Sequence, residues 1–281
     1  MNLAESLTWV AFPIVYTIII SYRENFHGSR LMPKIISVHS FRGGTGKSNT
    51  TAGLAALLAA EGARVGVVDT DIQSPGIHVL FNFVETGSAH SLNDYLWGKC
   101  SIKEAAHDVT SHLQDVKGRV FLIPSSIKAG EIARILREGY DVNLLNEGFR
   151  NVIRELALDY LLIDTHPGLG EETLLSLAIS DVLVILLRPD QQDYQGTAVT
   201  VDVARKLEVP RMILLVNKVP QAFDLEEVRS RVEQTYGAEV GAVLPHADEM
   251  MTLASADIFP LRYPDHPVTL GLRRVVEMVK A

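Results

Sequence analysis

A single cysteine, Cys100, among 281 residues excludes an intrachain disulfide, and the nine scattered histidines and this one thiol show no zinc-site spacing. Disulfide-stapled scaffolds and structural zinc modules are ruled out, and a reducing, cytoplasmic setting is expected. Net positive charge is also missing. With 26 Lys and Arg against 34 Asp and Glu the chain carries −8, which argues against an overall basic footprint for nucleic acid. Neither an internal repeat nor a low-complexity tract is present, so solenoids and extended linkers are excluded.

A full-length membrane span is lacking from the apolar start of the chain. Leu7 to Tyr22 is uncharged over 16 residues but interrupted by Pro13, short of the roughly 20 that cross a bilayer. Glu5 precedes this run and no Lys or Arg does, so it lacks the basic flank of a secretory signal. Met32-Pro33-Lys34 stands directly before the first strand pattern. We therefore expect residues 1–31 to be a leader outside the native protein and residues 32–281 to form one domain, a membrane anchor being the alternative. N-terminal mass analysis of the protein from its native host tests this, and a product beginning at Met1 would refute it.

What is present is apolar substance in regular alternation. The composition is 47% apolar and 21% charged, enough for one large core. Apolar strand patterns at 35–38, 64–68, 160–163, 212–216 and 242–244 alternate with helical patterns at 49–60, 91–97, 131–137, 143–156, 171–179, 195–207, 225–236 and 270–281. The strands read as continuous Val/Ile/Leu runs, as parallel strands covered on both faces require. The expected fold is a doubly wound α/β domain with a mostly parallel sheet.

The chemistry begins where the first strand ends, in Ser40-Phe41-Arg42-Gly43-Gly44-Thr45-Gly46-Lys47-Ser48-Asn49. Glycines at 43, 44 and 46 let backbone N–H groups turn toward phosphate oxygens. The following helix N-terminus adds positive dipole, Lys47 a charge, and Ser48 a hydroxyl for Mg²⁺. A ligand-free strand-to-helix turn is the bland reading of any Gly-rich loop, but this one has the flanking strand and helix that the motif needs. Phe41 stands where a strict G-x-x-x-x-G-K-S pattern has glycine.

Two more strand ends carry carboxylates: Asp69-Thr70-Asp71-Ile72-Gln73-Ser74-Pro75-Gly76 and Asp164-Thr165-His166-Pro167-Gly168. Any one aspartate after a strand is ordinarily a cap or turn former. Three of them at the carboxyl ends of parallel strands would converge on one crevice.

A cation directly before Gly-Gly-x-Gly-Lys-Ser resembles the deviant Walker A loop of the ParA/MinD family of ATPases, with Arg42 at the family's signature-lysine position. The resemblance runs from about residue 34 to 281. It implies ATP and Mg²⁺ as cofactors, with Gly43, Gly44, Thr45, Gly46, Lys47, Ser48 and Asn49 around the phosphates. The 69–76 segment stands as switch I and the 164–168 segment as switch II. Ser48 would bind the metal directly and Asp164 through water. Asp69 is a further metal candidate that supports the switch, and Asp71 would polarise the attacking water. Asn217 and Pro245, after two late strands, match the positions that frame adenine. His166 stands where relatives often have Pro or Ser, and is either a γ-phosphate sensor or a turn residue without catalytic duty.

The resemblance further implies a slow ATPase that dimerises around two ATP molecules, Lys47 and Arg42 facing the phosphates, and that an unidentified partner stimulates. Its cargo would be a chromosome, a plasmid or a protein assembly, carried on nucleoid DNA or on the inner membrane face. Arg keeps the charge of the signature lysine but with a planar, two-oxygen fork. Arg205, Lys206 and Arg211 offer a local basic patch, or merely a solvated helix face. The amphipathic 270–281 helix reads as core packing against a lipid-facing alternative. The competing functions are a nucleotide-binding scaffold with little turnover, and a small-molecule ligase or tyrosine kinase on the same loop. No terminal tyrosine cluster supports the kinase, and no small-molecule pocket motif supports the ligase.

Overall fold

The computed structural model describes residues 33–85 and 89–281. The leader and the Met32 start expected above lie outside the described residues. Eight strands form one sheet in the order β3-β4-β2-β5-β1-β6-β7-β8. In chain order they are β1 (Lys34–His39), β2 (Arg64–Asp69), β3 (His107–Asp108), β4 (Arg119–Ile123), β5 (Tyr160–Asp164), β6 (Val182–Leu187), β7 (Arg211–Val219) and β8 (Glu239–Pro245). All neighbours pair in parallel except β3, which lies antiparallel on β4. The doubly wound, mostly parallel architecture is the expected one. A two-residue edge strand such as β3 has too little pattern to be read from sequence.

The helices are α1 (Lys47–Ala60), α2 (Ile77–Leu80), α3 (Leu92–Leu96), α4 (Ala129–Glu138), α5 (Val142–Glu155), α6 (Glu171–Ala178), α7 (Gln191–Lys206), α8 (Leu225–Tyr236), α9 (Asp248–Leu253), α10 (Phe259–Arg262) and α11 (Pro267–Lys280). Expected starts shift where caps decide them. The Asp190 carboxylate accepts from the backbone N–H groups of Gln192 and Asp193, so α7 begins four residues before the expected Gln195. Ser91 caps α3 in a reciprocal box with Asp94.

Alternation along β1 divides the core. Ile36 and Val38 face α1, α10 and α11, whereas Ile35 faces the layer that holds α5. Helix α1, rich in alanine, is buried on nearly every side, wedged between the sheet and α11. Helix α11 buries Val268, Leu272, Val275, Val276 and Val279, so its apolar face covers the core rather than a lipid surface. No helix of the described residues is long and apolar enough to cross a membrane.

The chain winds from β1 toward β4 on one side, returns to β5, then crosses to β6 on the other. The crevice for a ligand lies at the carboxyl ends of the strands beside that reversal. The layer that holds α5 packs on Val68 and Ile163, which directly precede the last residues of β2 and β5. Phe149 of α5 is fully buried against it. Phe149→Ala should cost about 3–5 kcal/mol of unfolding free energy in urea titration, with the α/β signature of the circular dichroism retained.

Candidate functional site

The loop between β1 and α1 is held from several directions. Thr45 Oγ1 donates to Ser40 Oγ at 2.9 Å, the Asn217 amide donates to the Thr45 carbonyl at 2.8 Å, and Lys218 Nζ donates to the Gly44 carbonyl at 2.8 Å. Gly46 sits at φ 104°, and a Cβ there would come within 2.6 Å of Asn217 Nδ2, so both the backbone and the neighbour demand glycine. On the other side of the loop, a Cβ at Gly43 or Gly44 would meet nothing within 4 Å. The loop is thus braced behind and open in front, the shape that a phosphate cradle needs.

Asn217 and Lys218 do not close a strand, as expected, but lie within β7. The pairing of β7 with β8 shifts register between Val216 and Val219, and Lys218 adopts φ 59°. That irregularity turns both side chains onto the loop. Asn217 Oδ1 also accepts from the Lys218 backbone N–H, so this residue is first a brace of the loop. It nevertheless lines, with Gly46, Asn49, Thr50 and Pro245, a cavity of about 250 Å³. The residues expected near a base therefore share one hollow beside the loop, mostly apolar with a few convergent polar groups.

Three carboxylates meet at the other end of the crevice. Strands β2 and β5 pair with Asp69 directly beside Asp164, and both side chains are buried. Burial pushes Asp164 up to about 6, against hydrogen bonds from Ser48 and Thr51 and the nearby Lys47 that favour its charged form. Asp69 is raised well above its usual range by burial and by the charges of Asp164 and Asp71. Lys47 is in turn lowered by burial, a shift that Asp164, Asp71 and Asp69 oppose. Three acidic groups stand against one lysine, and a cation among them would favour their charged forms, so the site has the chemistry to take one.

Among the described residues no group of three or more His, Cys, Asp or Glu side chains could hold a metal on its own. Mg²⁺ suits this arrangement, since it is usually bound by one or two carboxylates together with water and substrate phosphates. Asp69 is the less available candidate. Its Oδ1 accepts from the Asp71 N–H at 3.0 Å and its Oδ2 from the Gly76 N–H at 3.3 Å, which folds the 69–76 loop. Ser48 and Asp164 remain the candidate residues for the ion.

Several functional neighbours were not expected from the sequence. Thr51 Oγ1 donates to Asp164 Oδ1 at 3.2 Å. Its position three residues after Ser48 on a helix put it on that face and was the available signal. His39, the last residue of β1, meets Thr165 Oγ1 through Nδ1 at 2.8 Å, while that hydroxyl donates to the Val38 carbonyl. His39 is therefore protonated on Nδ1, and its buried Nε2 has no hydrogen-bond partner. Burial, with Lys47 and His166 adding to it, lowers His39 to about 3. His166 Nδ1 lies 2.6 Å from Asp71 Oδ1.

Arg42 does not point into the crevice. Its guanidinium is hydrogen-bonded to Gln192 Oε1 and stands 3.9 Å from Asp193, at the start of α7. Arg188 engages the same Asp193 at 3.0 Å. The substitution of Phe41 for glycine has a physical reason here. A Cβ at Gly196 would lie 2.2 Å from Phe41 Cδ1, so the ring fills a space on α7 that only glycine leaves.

Two basic residues outside the site are committed to backbone carbonyls. Arg205 donates to the Tyr236 carbonyl, and Arg211 donates to the Met278 carbonyl and pairs with Glu239 at 3.2 Å. Of the three cations of the candidate patch, Arg205 and Arg211 are in this way engaged at helix ends, while Lys206 is exposed.

An AAA-domain family model (AAA_31) matches residues 33–210. An uncharacterized ATP-binding protein of Methanocaldococcus jannaschii is 27% identical over 87% of this chain and 87% of its own length. An iron-sulfur cluster carrier protein of Pseudomonas fragi is 29% identical over 84% of this chain and 81% of its own. Among solved structures, the septum site-determining protein MinD of Pyrococcus horikoshii, complexed with Mg-ADP, superposes with a TM-score of 0.71. It is 20% identical and covers 88% of this chain and 96% of its own.

The raised Asp164 predicts a pH dependence. The stability that its protonated form contributes is fully present below the ordinary value of 3.8 and is lost as the pH rises through about 6. Without Mg²⁺ and nucleotide, Asp164→Asn should therefore gain in unfolding free energy relative to the wild type between pH 4 and pH 7, read from urea titrations at each pH.

Proposed function

From the premise that this chain belongs to the AAA_31 family of AAA domains and has the ParA/MinD type of P-loop fold, we propose that it is an ATP-dependent, dimerising switch ATPase that positions or partitions a cargo. The observation that carries the reading is the meeting of an open glycine loop, Lys47 and the buried Asp164 at the sheet reversal. The resemblance of Arg42-Gly43-Gly44-Thr45-Gly46-Lys47-Ser48 to the deviant Walker A loop supplies the dimerising part.

Each role follows from placement. Backbone N–H groups of residues 43–48 and the start of α1 would bind phosphate oxygens, and Lys47 would neutralise charge that develops on them. Ser48 and Asp164 would hold Mg²⁺, which would supply positive charge against the phosphates. Asp71, at the rim, would orient the attacking water. Asn49, Asn217 and Pro245 would border the base. Asn217 keeps one amide hydrogen and one lone pair beyond its bonds to Thr45 and Lys218, enough to read a base edge.

Arg42 would act on the nucleotide of a second protomer. Its present partners lie on its own chain, and its side chain is 41% exposed. An ion pair that exposed and that long is worth about 1 kcal/mol at most, so exchanging it for a triphosphate costs little. Asp193 would keep Arg188 as its partner after the exchange. We place the protein in the cytoplasm, with a stimulating partner and a DNA or membrane surface still to be found.

Iron-sulfur transfer is the less favoured function. One cysteine per chain gives at most two thiolates per dimer, and the Cys100 thiol is raised to about 11, chiefly by burial, which opposes the thiolate that binds metal. The scaffold alternative, binding ATP with little turnover, rests on arginine in place of the signature lysine.

Size-exclusion light scattering with ADP or ATP and Mg²⁺, followed by phosphate release on the same samples, tests the reading. An ATP-only dimer with slow turnover is expected; a dimer that releases no phosphate supports the scaffold, and a nucleotide-insensitive monomer overturns the switch. Lys47→Ala should abolish ATP binding, read by calorimetry, while the circular dichroism is unchanged. Arg42→Ala should retain ATP affinity and lose the ATP-dependent dimer, and an unchanged dimer would refute its action across the interface.

A further inference from the structure

The contact between Asp71 and His166 follows from strand register. Strands β2 and β5 are paired up to Asp69 beside Asp164, and the loops that leave them stay joined for one more residue. Both the backbone N–H and the hydroxyl of Thr70 donate to the Asp164 carbonyl at 3.0 Å. Positions 71 and 166 each lie two residues beyond the paired aspartates, so their side chains meet across the mouth of the crevice. Asp71 and His166 are 17% and 24% exposed, at the boundary between the buried site and solvent.

The atoms used in the contact define its geometry. His166 Nδ1 donates to Asp71 Oδ1 at 2.6 Å, and the Ser74 N–H donates to the same oxygen at 3.2 Å. Both bonds end on Oδ1, which leaves Oδ2 for a water. The imidazole is itself anchored, because its backbone carbonyl accepts from Thr173 Oγ1 of α6 at 3.3 Å. One residue earlier, Thr165 is bonded to His39 and to the Val38 carbonyl. The 164–168 loop is therefore tied to β1 on one side and to Asp71 on the other.

We propose that His166 is a positioning residue for turnover: its Nδ1–H fixes the Asp71 carboxylate and thereby the water that Asp71 orients, while nucleotide affinity is left to the glycine loop and Lys47. The inference deepens the ATPase reading and rests on it. A carboxylate on a loop rim without such a partner samples several rotamers, and catalytic orientation is lost well before binding is. The role differs from that of a γ-phosphate sensor, which would act through Nε2 and change affinity, and from that of a general base, which would also require Nε2.

The two ring nitrogens can be tested separately. An asparagine side-chain amide places N–H near the position of Nδ1, and a glutamine amide reaches nearer to that of Nε2. In steady-state phosphate release by the full chain, His166→Ala and His166→Gln should each lose about tenfold or more in kcat, with ADP affinity within about twofold of the wild type. His166→Asn should recover most of the loss. Equal loss in the Asn and Ala variants, a change confined to KM, or no change in kcat would overturn the proposal.

A second readout needs no nucleotide. In ¹⁵N spectra at about pH 8.5, well above the ordinary histidine range, His166 should be protonated on Nδ1 in the wild type and revert to the Nε2–H tautomer in Asp71→Ala. A wild-type Nε2–H ring would overturn the contact itself. Wild-type protein that releases no phosphate would instead sink the ATPase reading, and the spectra would still decide whether His166 holds Asp71.

Discussion

Buried like charge is the constraint around which this molecule is organised. Parallel pairing sets Asp69 and Asp164 side by side at the ends of neighbouring strands, inside the protein and next to Asp71. Such an arrangement is costly in an isolated fold, because burial and mutual repulsion both disfavour ionisation. Lys47 offsets part of it, and Ser48 and Thr51 hydrogen-bond Asp164. The remainder is a standing demand for positive charge at a fixed place, which a magnesium nucleotide complex would meet. On the proposed reading, a ligand that relieves buried charge would favour the conformation that binds it.

The glycine loop depends on bracing from elements remote in sequence. Asn217 and Lys218 reach it from an irregular stretch of β7, and Ser40 closes it from within. The Asn217 and Lys218 bonds consume loop carbonyls, acceptors that would repel phosphate if they turned inward. Bracing the carbonyls outward leaves the N–H groups to face the crevice, which is how a flexible glycine sequence acquires one geometry. The preorganisation is structural, and it links the base hollow to the phosphate loop through a single residue, Asn217.

Arg42 is engaged on its own chain, away from the crevice. Within one protomer it rests on Gln192 and near Asp193, at the exposed start of α7. Asp193 has Arg188 in closer range, so release of Arg42 does not leave a buried carboxylate unpaired. Phe41, beside it, is anchored on Gly196 and fixes where the arginine side chain starts.

Much of this was legible in the chain. Continuous apolar runs alternating with helical patterns determined the doubly wound class, and Gly43-Gly44-Thr45-Gly46-Lys47-Ser48 between a strand and a helix determined where phosphate would bind. Both signals are local: periodicity depends on neighbours in sequence, and a glycine turn depends on its own dihedral angles. Tertiary structure alone decided the partnerships. That Asp71 meets His166, that Asn217 braces Thr45 and that Arg205 and Arg211 are spent on helix ends all depend on how strands and helices pack. That packing sets the whole sheet between its helix layers, where residues tens to hundreds of positions apart become neighbours, and no local pattern encodes which ones.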